Sequence, residues 1–210
     1  MPLIYHRKSP AFSISLWWLT EDLPFFYEMA GRYAEDILRE TGKNTLRKKQ
    51  WLAARHLLHH HHGIRQNIAK TPEGKPYCPG TNPFVSLSHS GELIATYSSQ
   101  IEGGIDVQRF SEQVVKIKDK FVSQQESTED PLILHLIWSA KEAMYKSYGL
   151  KKLNFKEHLL VVTPEKLCTP SGSLVGQIHT HQLKINYQLE YEIWNKYLLV
   201  IAQEQNRIVL

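Results

Sequence analysis

Apolar and polar positions recur along this chain in patterns that mark out its elements. In AFSISLWWL, Ala11 to Leu19, apolar residues are interleaved with serines, which predicts an opening strand, broken at Asp22-Leu23-Pro24. From Thr45 to His61 the spacing is helical: Leu46, Trp51, Leu52, Leu57 and Leu58 share an apolar face, and Gly63 suits the stop. Arg47, Lys48, Lys49 and Arg55 ride on the same helix. A loop dense in proline and glycine, TPEGKPYCPGTNP, leads into FVSLSHSGELIATYSS, whose β-rich flanks around Ser-Gly predict a hairpin. GGIDVQ predicts another strand, and helices are expected over Glu112–Phe121 and Pro131–Tyr148. From Phe155 onward, LLVVTP, QIHTHQLKINYQLEYEIW and YLLVIAQE alternate or run apolar, as in a strand meander. The order β, α, β-hairpin, then β, α, β-meander predicts an α+β fold of two similar halves, residues 1–102 and 103–210. The switch falls near Glu102–Gly104, and no close residue-level repeat relates the halves.

The 210 residues suffice for one large domain or two compact halves. An apolar content of 42% and a charged content of 22% are those of an ordinary globular protein. The net charge of +4 fits an anionic ligand or an acidic partner but is too small to argue for DNA. The chain also lacks a recognised base-reading motif, so no nucleic-acid partner is expected. Cys78 and Cys168 form neither a disulfide framework nor a metal motif. The start, MPLIYHRKSPAF, lacks the apolar core of a signal peptide, and no run of 18 apolar residues occurs. A reduced, cytoplasmic protein without a membrane span is expected. Within HLLHHHHG only pairs such as His56 and His60 share a helix face, and with no clear third ligand a physiological metal is not expected there. His179 and His181, alternating on an expected strand, are read as a polar outer face.

Three stretches carry candidate chemistry. In GGIDVQ, strand alternation sends Ile105 and Val107 to one face and Asp106 and Gln108 to the other. Side-by-side oxygen donors of that kind suit a hard cation such as magnesium. An acid accepting backbone bonds at a strand end is the other reading. On the helix around IWSAKEAMYKSYG, Ile133, Ile137, Ala140 and Met144 define a buried face, while Trp138, Glu142 and Lys146 form a separate line. Glu142 and Lys146 also have the ordinary spacing of a solvated ion pair, and periodicity alone does not separate the two. In GKPY and SLSHSG, Lys75 with Ser88, His89 and Ser90 offers a cation, hydroxyls and an imidazole able to grip a phosphate. A turn that satisfies its own backbone is the alternative there.

Taken in order, these blocks resemble the 4′-phosphopantetheinyl transferases of the surfactin-synthetase-activating type. Gly74-Lys75-Pro76, Ser86 to Ser90, Gly104 to Asp106, and Trp138 with Lys141-Glu142 through Lys146 match that family's signature across residues 74–146. Any one block is weak; the ordered set is specific. The resemblance implies two similar α/β halves in a pseudo-two-fold arrangement with the active site between them, closed by a single chain, hence a monomer. It implies magnesium-dependent transfer of the 4′-phosphopantetheine arm of coenzyme A to a serine of an apo acyl or peptidyl carrier protein, releasing adenosine 3′,5′-bisphosphate. The alternative is a coenzyme A-binding protein of the same fold with lost or weak transfer. By the same match, Asp106 and Glu142 are metal ligands, with Gln108 standing where many relatives carry an acid. An amide oxygen binds magnesium less strongly than a carboxylate, so looser metal binding is expected. Lys146 is expected at the diphosphate, and Lys75, Ser88 and His89 at coenzyme A phosphates. In the basic helix Arg47 is the first choice for the 3′-phosphate or adenine, with Lys49 and Arg55 as competitors. Glu142 and Glu126 are the candidate general bases, the latter because FVSQQE resembles the family's acid-bearing segment. Lys141 either assists or faces the core.

Overall fold

The computed structural model describes residues 3–30, 41–65, 67–80, 83–150 and 152–210. Strand β2, Phe12–Trp18, realises the expected opening strand and is buried along almost its whole length. It pairs antiparallel with β1, Leu3–Lys8, an edge strand with strictly alternating exposure that the sequence reading did not anticipate. Where a chain break was expected, Leu23–Ala30 forms helix α1. Pro24 is tolerated because it lies in the first turn, where its missing N–H costs no bond, and the Asp22 carboxylate accepts the Phe25 amide at 3.1 Å. Helix α2, Thr45–His60, starts at Asn44, whose side chain accepts the Arg47 amide. The short strands β3, Ala69–Lys70, and β4, Pro76–Tyr77, form a ribbon that presents the Gly-Lys-Pro turn. Then come β5, Phe84–Ser90, and β6, Leu93–Ser99, the expected hairpin, turning at Gly91 with φ +59°.

Strand β7, Gly103–Arg109, opens the second segment. The helix expected over 112–121 is only partly α-helical: α3 covers Glu112–Lys116 and a 3-10 turn takes Lys118–Lys120. Helix α4 spans Pro131–Tyr148, capped by the Asp130 carboxylate on the Leu132 amide and ended by Gly149 at φ +70°. A single turn, α5, Phe155–His158, leads to the meander β8, Leu159–Val162, β9, Ser171–His179, β10, Leu183–Trp194, and β11, Tyr197–Val209. The chain reverses after His179, where the Thr180 amide bonds the Leu183 carbonyl, so His181 lies in the turn and shares no strand face with His179.

Two antiparallel sheets result, ordered β1-β2-β6-β5 and β7-β11-β10-β9-β8. In each, the first long strand of its segment pairs with the last, and the last with the one before it: β2-β6-β5 and β7-β11-β10. The sheets face each other across a core of Phe12, Ile14 and Leu16 with Leu93, Ala95 and Tyr97 on one side, and Ile105, Val107, Leu199 and Ile201 on the other. Helices α1 and α2 cover the outer face of the first sheet through Phe26, Leu52, Ala53 and Leu57 against Trp17 and Ile94. Helix α4 covers the outer face of the second through Leu136, Ala140, Ala143 and Met144. Buried on both faces, the central strands bury their serines and threonines as well as their apolar residues.

The sheets are also stitched edge to edge. Strand alternation puts Ser86, Ser88 and Ser90 on one face of β5, and their hydroxyls accept the amides of Ile105, Val107 and Arg109 at 3.2, 3.1 and 3.0 Å. The hydroxyls thus supply acceptors to β7 on the edge that β11 does not pair. At the start of β7, a Cβ on Gly104 would collide with the Ala143 carbonyl, so glycine lets the strand backbone rest directly on α4.

A polar network lies at the end of α2. His62 Nδ1 bonds Ser98 Oγ at 2.7 Å, and its Nε2 meets Ser15 Oγ at 3.0 Å and Thr96 Oγ1 at 3.1 Å. Burial, reinforced by the neighbouring His6 and His61, lowers its pKa from 6.5 to about 3. Above pH 6.5 both folded and unfolded states are neutral and the contribution is whole; as pH falls from 6.5 towards 3 only the unfolded chain takes the proton, so stability is lost. The loss is roughly 1.4 kcal/mol per pH unit over that window. Urea unfolding at pH 7.5 and pH 5 should show this loss, and His62→Gln should lessen the slope, leaving the part due to His56, His61 and His89; an unchanged pH slope in the variant would refute the assignment.

Candidate functional site

Helix α4 puts Glu142 and Lys146 one turn apart on the face turned toward β7, with Ala143 and Met144 buried in the core beside them. Trp138, at the head of the same line, packs edge-on against Phe121 and tilted against Phe155, so the line is not a solvated stripe. Lys146 reaches across to the seam between the sheets: its ammonium donates to Asp106 Oδ1 at 2.7 Å, to Ser88 Oγ at 2.8 Å and to the Ile105 carbonyl at 3.1 Å. Ser88 in turn donates to Asp106 Oδ1 at 2.9 Å while accepting the Val107 amide. Three stretches far apart in sequence therefore meet at one carboxylate oxygen. Asp106 is 5% exposed, and its other oxygen, Oδ2, is buried with no hydrogen-bond partner among the described residues.

Glu142 is half-buried beside this cluster. Burial first, then the negative charge of Asp106, push its carboxyl up to about 7 against the opposing charge of Lys146. An unpaired buried carboxylate oxygen next to a second carboxyl raised by burial and by its neighbour's charge is a local excess of negative potential. That combination fits a divalent cation drawing its remaining ligands from water and a phosphate-bearing ligand. Among the described residues no group of three or more His, Cys, Asp or Glu side chains could hold an ion, so the protein's own donors would be this pair. Gln108 follows Asp106 by two along β7, but its amide nitrogen donates to the Arg109 carbonyl at 3.0 Å and it makes no hydrogen bond to Asp106 or Glu142.

A cavity of about 380 Å³ opens beside the cluster, with Ser88, His89 and Lys146 in its wall. Arg47, Arg55 and Lys70 add positive charge, against Glu73 as the one acidic lining residue among those described. The Arg55 guanidinium lies 3.3 Å over the Trp51 ring, a stacked pair at the cavity wall. Arg47 contacts the His89 imidazole. Burial, then the charges of Arg47 and Lys146, lower His89 to about 4, so at neutral pH it is uncharged and available as an acceptor. Arg47, Ser88, His89 and Lys146, with Arg55, thus line one cavity. Lys49 turns away, donating to the Glu21 carbonyl, and is not among the lining residues. Lys75 lines the cavity but gives its ammonium to Glu102 and to the Ser147 carbonyl.

Glu126 corrects the sequence reading. Instead of facing the cavity it is buried in an ion pair with Lys141 at 2.6 Å, both side chains being 0% exposed. Its oxygens also accept the amides of Ser123 at 2.9 Å and Val161 at 2.8 Å. A carboxylate held by a cation and two amides is not placed to take a proton from a ligand in the cavity. The Ser-x-x-Glu spacing of Ser123 and Glu126, a helix-start signature, was the available sign of a structural role. Lys141 accordingly faces the core, where it also donates to the carbonyls of Phe121 and Phe155. Trp51 and Glu102 were missed because nothing in their local spacing marks them; the serine row of β5 was visible as a period of two.

No family model matches the chain. Among curated proteins, a 64-residue segment is 34% identical to the homoserine O-acetyltransferase of Acetivibrio thermocellus. The match covers 30% of this chain and 19% of that enzyme, so the likeness is to a part of a transferase. No helix among the described residues is long and apolar enough to cross a membrane.

Proposed function

We propose that this protein transfers the 4′-phosphopantetheine arm of coenzyme A to a serine hydroxyl of an apo acyl or peptidyl carrier protein, releasing adenosine 3′,5′-bisphosphate. The observation that carries the reading is the contact of Ser88, Asp106 and Lys146, three motif-bearing segments converging at the mouth of a cation-lined cavity. The matching strand orders β2-β6-β5 and β7-β11-β10 support a fold of two like halves with the site at their seam. The partial likeness to an acetyltransferase is compatible with group transfer.

Arg47, with the neutral His89 imidazole beside its guanidinium, binds the negative end of coenzyme A in the cavity, and the Arg55–Trp51 stack offers a flat surface to its purine. The serine oxygen of the carrier forms a bond to the phosphorus that bears the pantetheine arm. The bridging bond of the diphosphate breaks, and its electron pair leaves with adenosine 3′,5′-bisphosphate. Glu142 accepts the serine proton, and the Lys146 ammonium swings from Asp106 toward the leaving oxygen and stabilises its charge. Asp106 and Glu142 would hold magnesium, which when bound supplies neutralising charge at the diphosphate.

The test is direct. Incubation with coenzyme A, magnesium and a panel of apo carrier proteins should add the mass of the arm to a carrier. Folded protein that modifies no carrier would reject the reading. Gln108, its amide turned to its own strand, favours a second one, a coenzyme A-binding protein with weak transfer; tight coenzyme A binding without turnover would select it. Gln108→Glu adds a carboxylate two positions from Asp106 on the same strand. It is expected to tighten magnesium binding about tenfold, within the energy of one added charge at close range. Calorimetric magnesium titration checks this, and unchanged or weaker affinity would count against a ligand position at 108.

A further inference from the structure

The Gly-Lys-Pro turn does something other than expose a cation. The turn is rigid: the Thr71 amide bonds the Lys75 carbonyl at 2.9 Å, the Thr71 hydroxyl accepts the Lys75 amide at 3.3 Å, and Gly74 takes φ +97°. From it the Lys75 side chain runs over Gly149, the residue that ends α4. A Cβ on Gly149 would collide with the Lys75 stem, and Gly149 is held at φ +70° besides. Beyond this notch the ammonium donates to the carbonyl of Ser147, in the last turn of α4, where carbonyls lack helical partners. Its counter-charge is Glu102, directly before β7, which also takes the Arg207 guanidinium at 3.4 Å. Arg207 is itself paired with Glu204 of β11 at 2.7 Å.

We propose that Lys75 is a positioning residue, holding the last turn of α4 against the start of β7 so that Lys146 meets Asp106, rather than a cation that grips the ligand. Three features converge on this. The lysine is neutralised by Glu102, so it adds little net positive potential to the cavity. It sits where a cation favours a helix, at the C-terminal end of the dipole. And Lys146 precedes the carbonyl it holds by one residue, so rotation of that turn would carry the Lys146 ammonium off Ser88 and Asp106. The consequence for chemistry rests on the transferase reading above; the clasp itself does not.

The experiment compares Lys75→Met, which keeps the stem over Gly149 and removes the ammonium, with Glu102→Gln and with the double variant. Amide hydrogen exchange of residues 145–150 in the ligand-free protein is expected to speed up by about tenfold or more in Lys75→Met, the opening of one charge-assisted contact at a helix end. Calorimetry with coenzyme A and with adenosine 3′,5′-bisphosphate should give affinities within about threefold of wild type, and transfer should lose about tenfold in kcat with KM little changed. The double variant should be no worse than Lys75→Met, since both remove the same clasp. Affinity lowered by tenfold or more with unchanged exchange at 145–150 would overturn the proposal in favour of a ligand contact. If Lys75→Met does not fold, Glu102→Gln provides the same comparison. If wild-type protein neither binds coenzyme A nor transfers its arm, the functional reading fails, while the exchange measurement still decides for or against the clasp.

Discussion

Asp106→Asn is expected to lower kcat for transfer by about a thousandfold, the scale seen when one preorganised electrostatic contact is removed from a reaction centre. Asparagine is the same size and leaves the strand pairing of β7 with β11 intact. What it removes is the charge. Lys146 loses the anion that orients it at 2.7 Å, and the pair of carboxyls suited to a divalent cation is reduced to Glu142 alone. The same substitution has a readout that needs no turnover. Burial is the larger cause of the raised Glu142 carboxyl and stays in place, but Asp106 adds to it, so neutralising Asp106 should lower that group from about 7, as followed by NMR titration. Activity within tenfold of wild type, or a Glu142 titration that stays in place, would remove Asp106 from the centre of the site.

Lys141→Met is expected to destabilise the protein by about 3–5 kcal/mol, because it leaves the Glu126 carboxylate buried without its cation. The pair has no access to water, and burial lowers the Lys141 pKa while Glu126 opposes the shift. For a chain of this length that loss corresponds to a fall in Tm of about 10 °C. Adding Glu126→Gln to Lys141→Met should recover part of it, since glutamine carries no charge and keeps an oxygen for the Val161 or Ser123 amide. Replacing Glu126 with leucine should recover less, because both amides would then be buried unbonded, at about 1–3 kcal/mol each. Denaturant midpoints measure these differences. A cost under about 1 kcal/mol for Lys141→Met would mean that the pair does not anchor the 118–126 segment and β8 to α4.

How far the site was legible depended on how local its cause was. Ile105 and Val107 pointing into the core and Asp106 pointing away follow from strand alternation, and the structure keeps that arrangement. Glu142 and Lys146 share a helix face by their spacing alone. That Lys146 pairs with Asp106 of a distant strand, and not with a solvent shell, could not be read from the helix. Glu126 was misplaced for a related reason: a carboxylate beside Phe121 looks alike in sequence whether it opens onto a cavity or closes on a buried lysine. Strand β1 was passed over because LIYHRK is short and half polar, as an edge strand can be.

By itself the chain's sequence determined the periodicities: which residues of β7 and α4 share a face, where Pro, Gly and Asx residues start and stop elements, and which motif blocks occur in which order. Those follow from interactions a few residues apart. Only the tertiary structure decided which charges face one another, because a lone lysine on a helix has no preferred partner until packing brings one within hydrogen-bond distance. The Ser88–Asp106–Lys146 cluster, the buried Lys141–Glu126 pair and the Lys75 clasp on Glu102 and α4 are all of that kind. Each joins segments at least 15 residues apart, and each draws its strength from the burial that only folding provides.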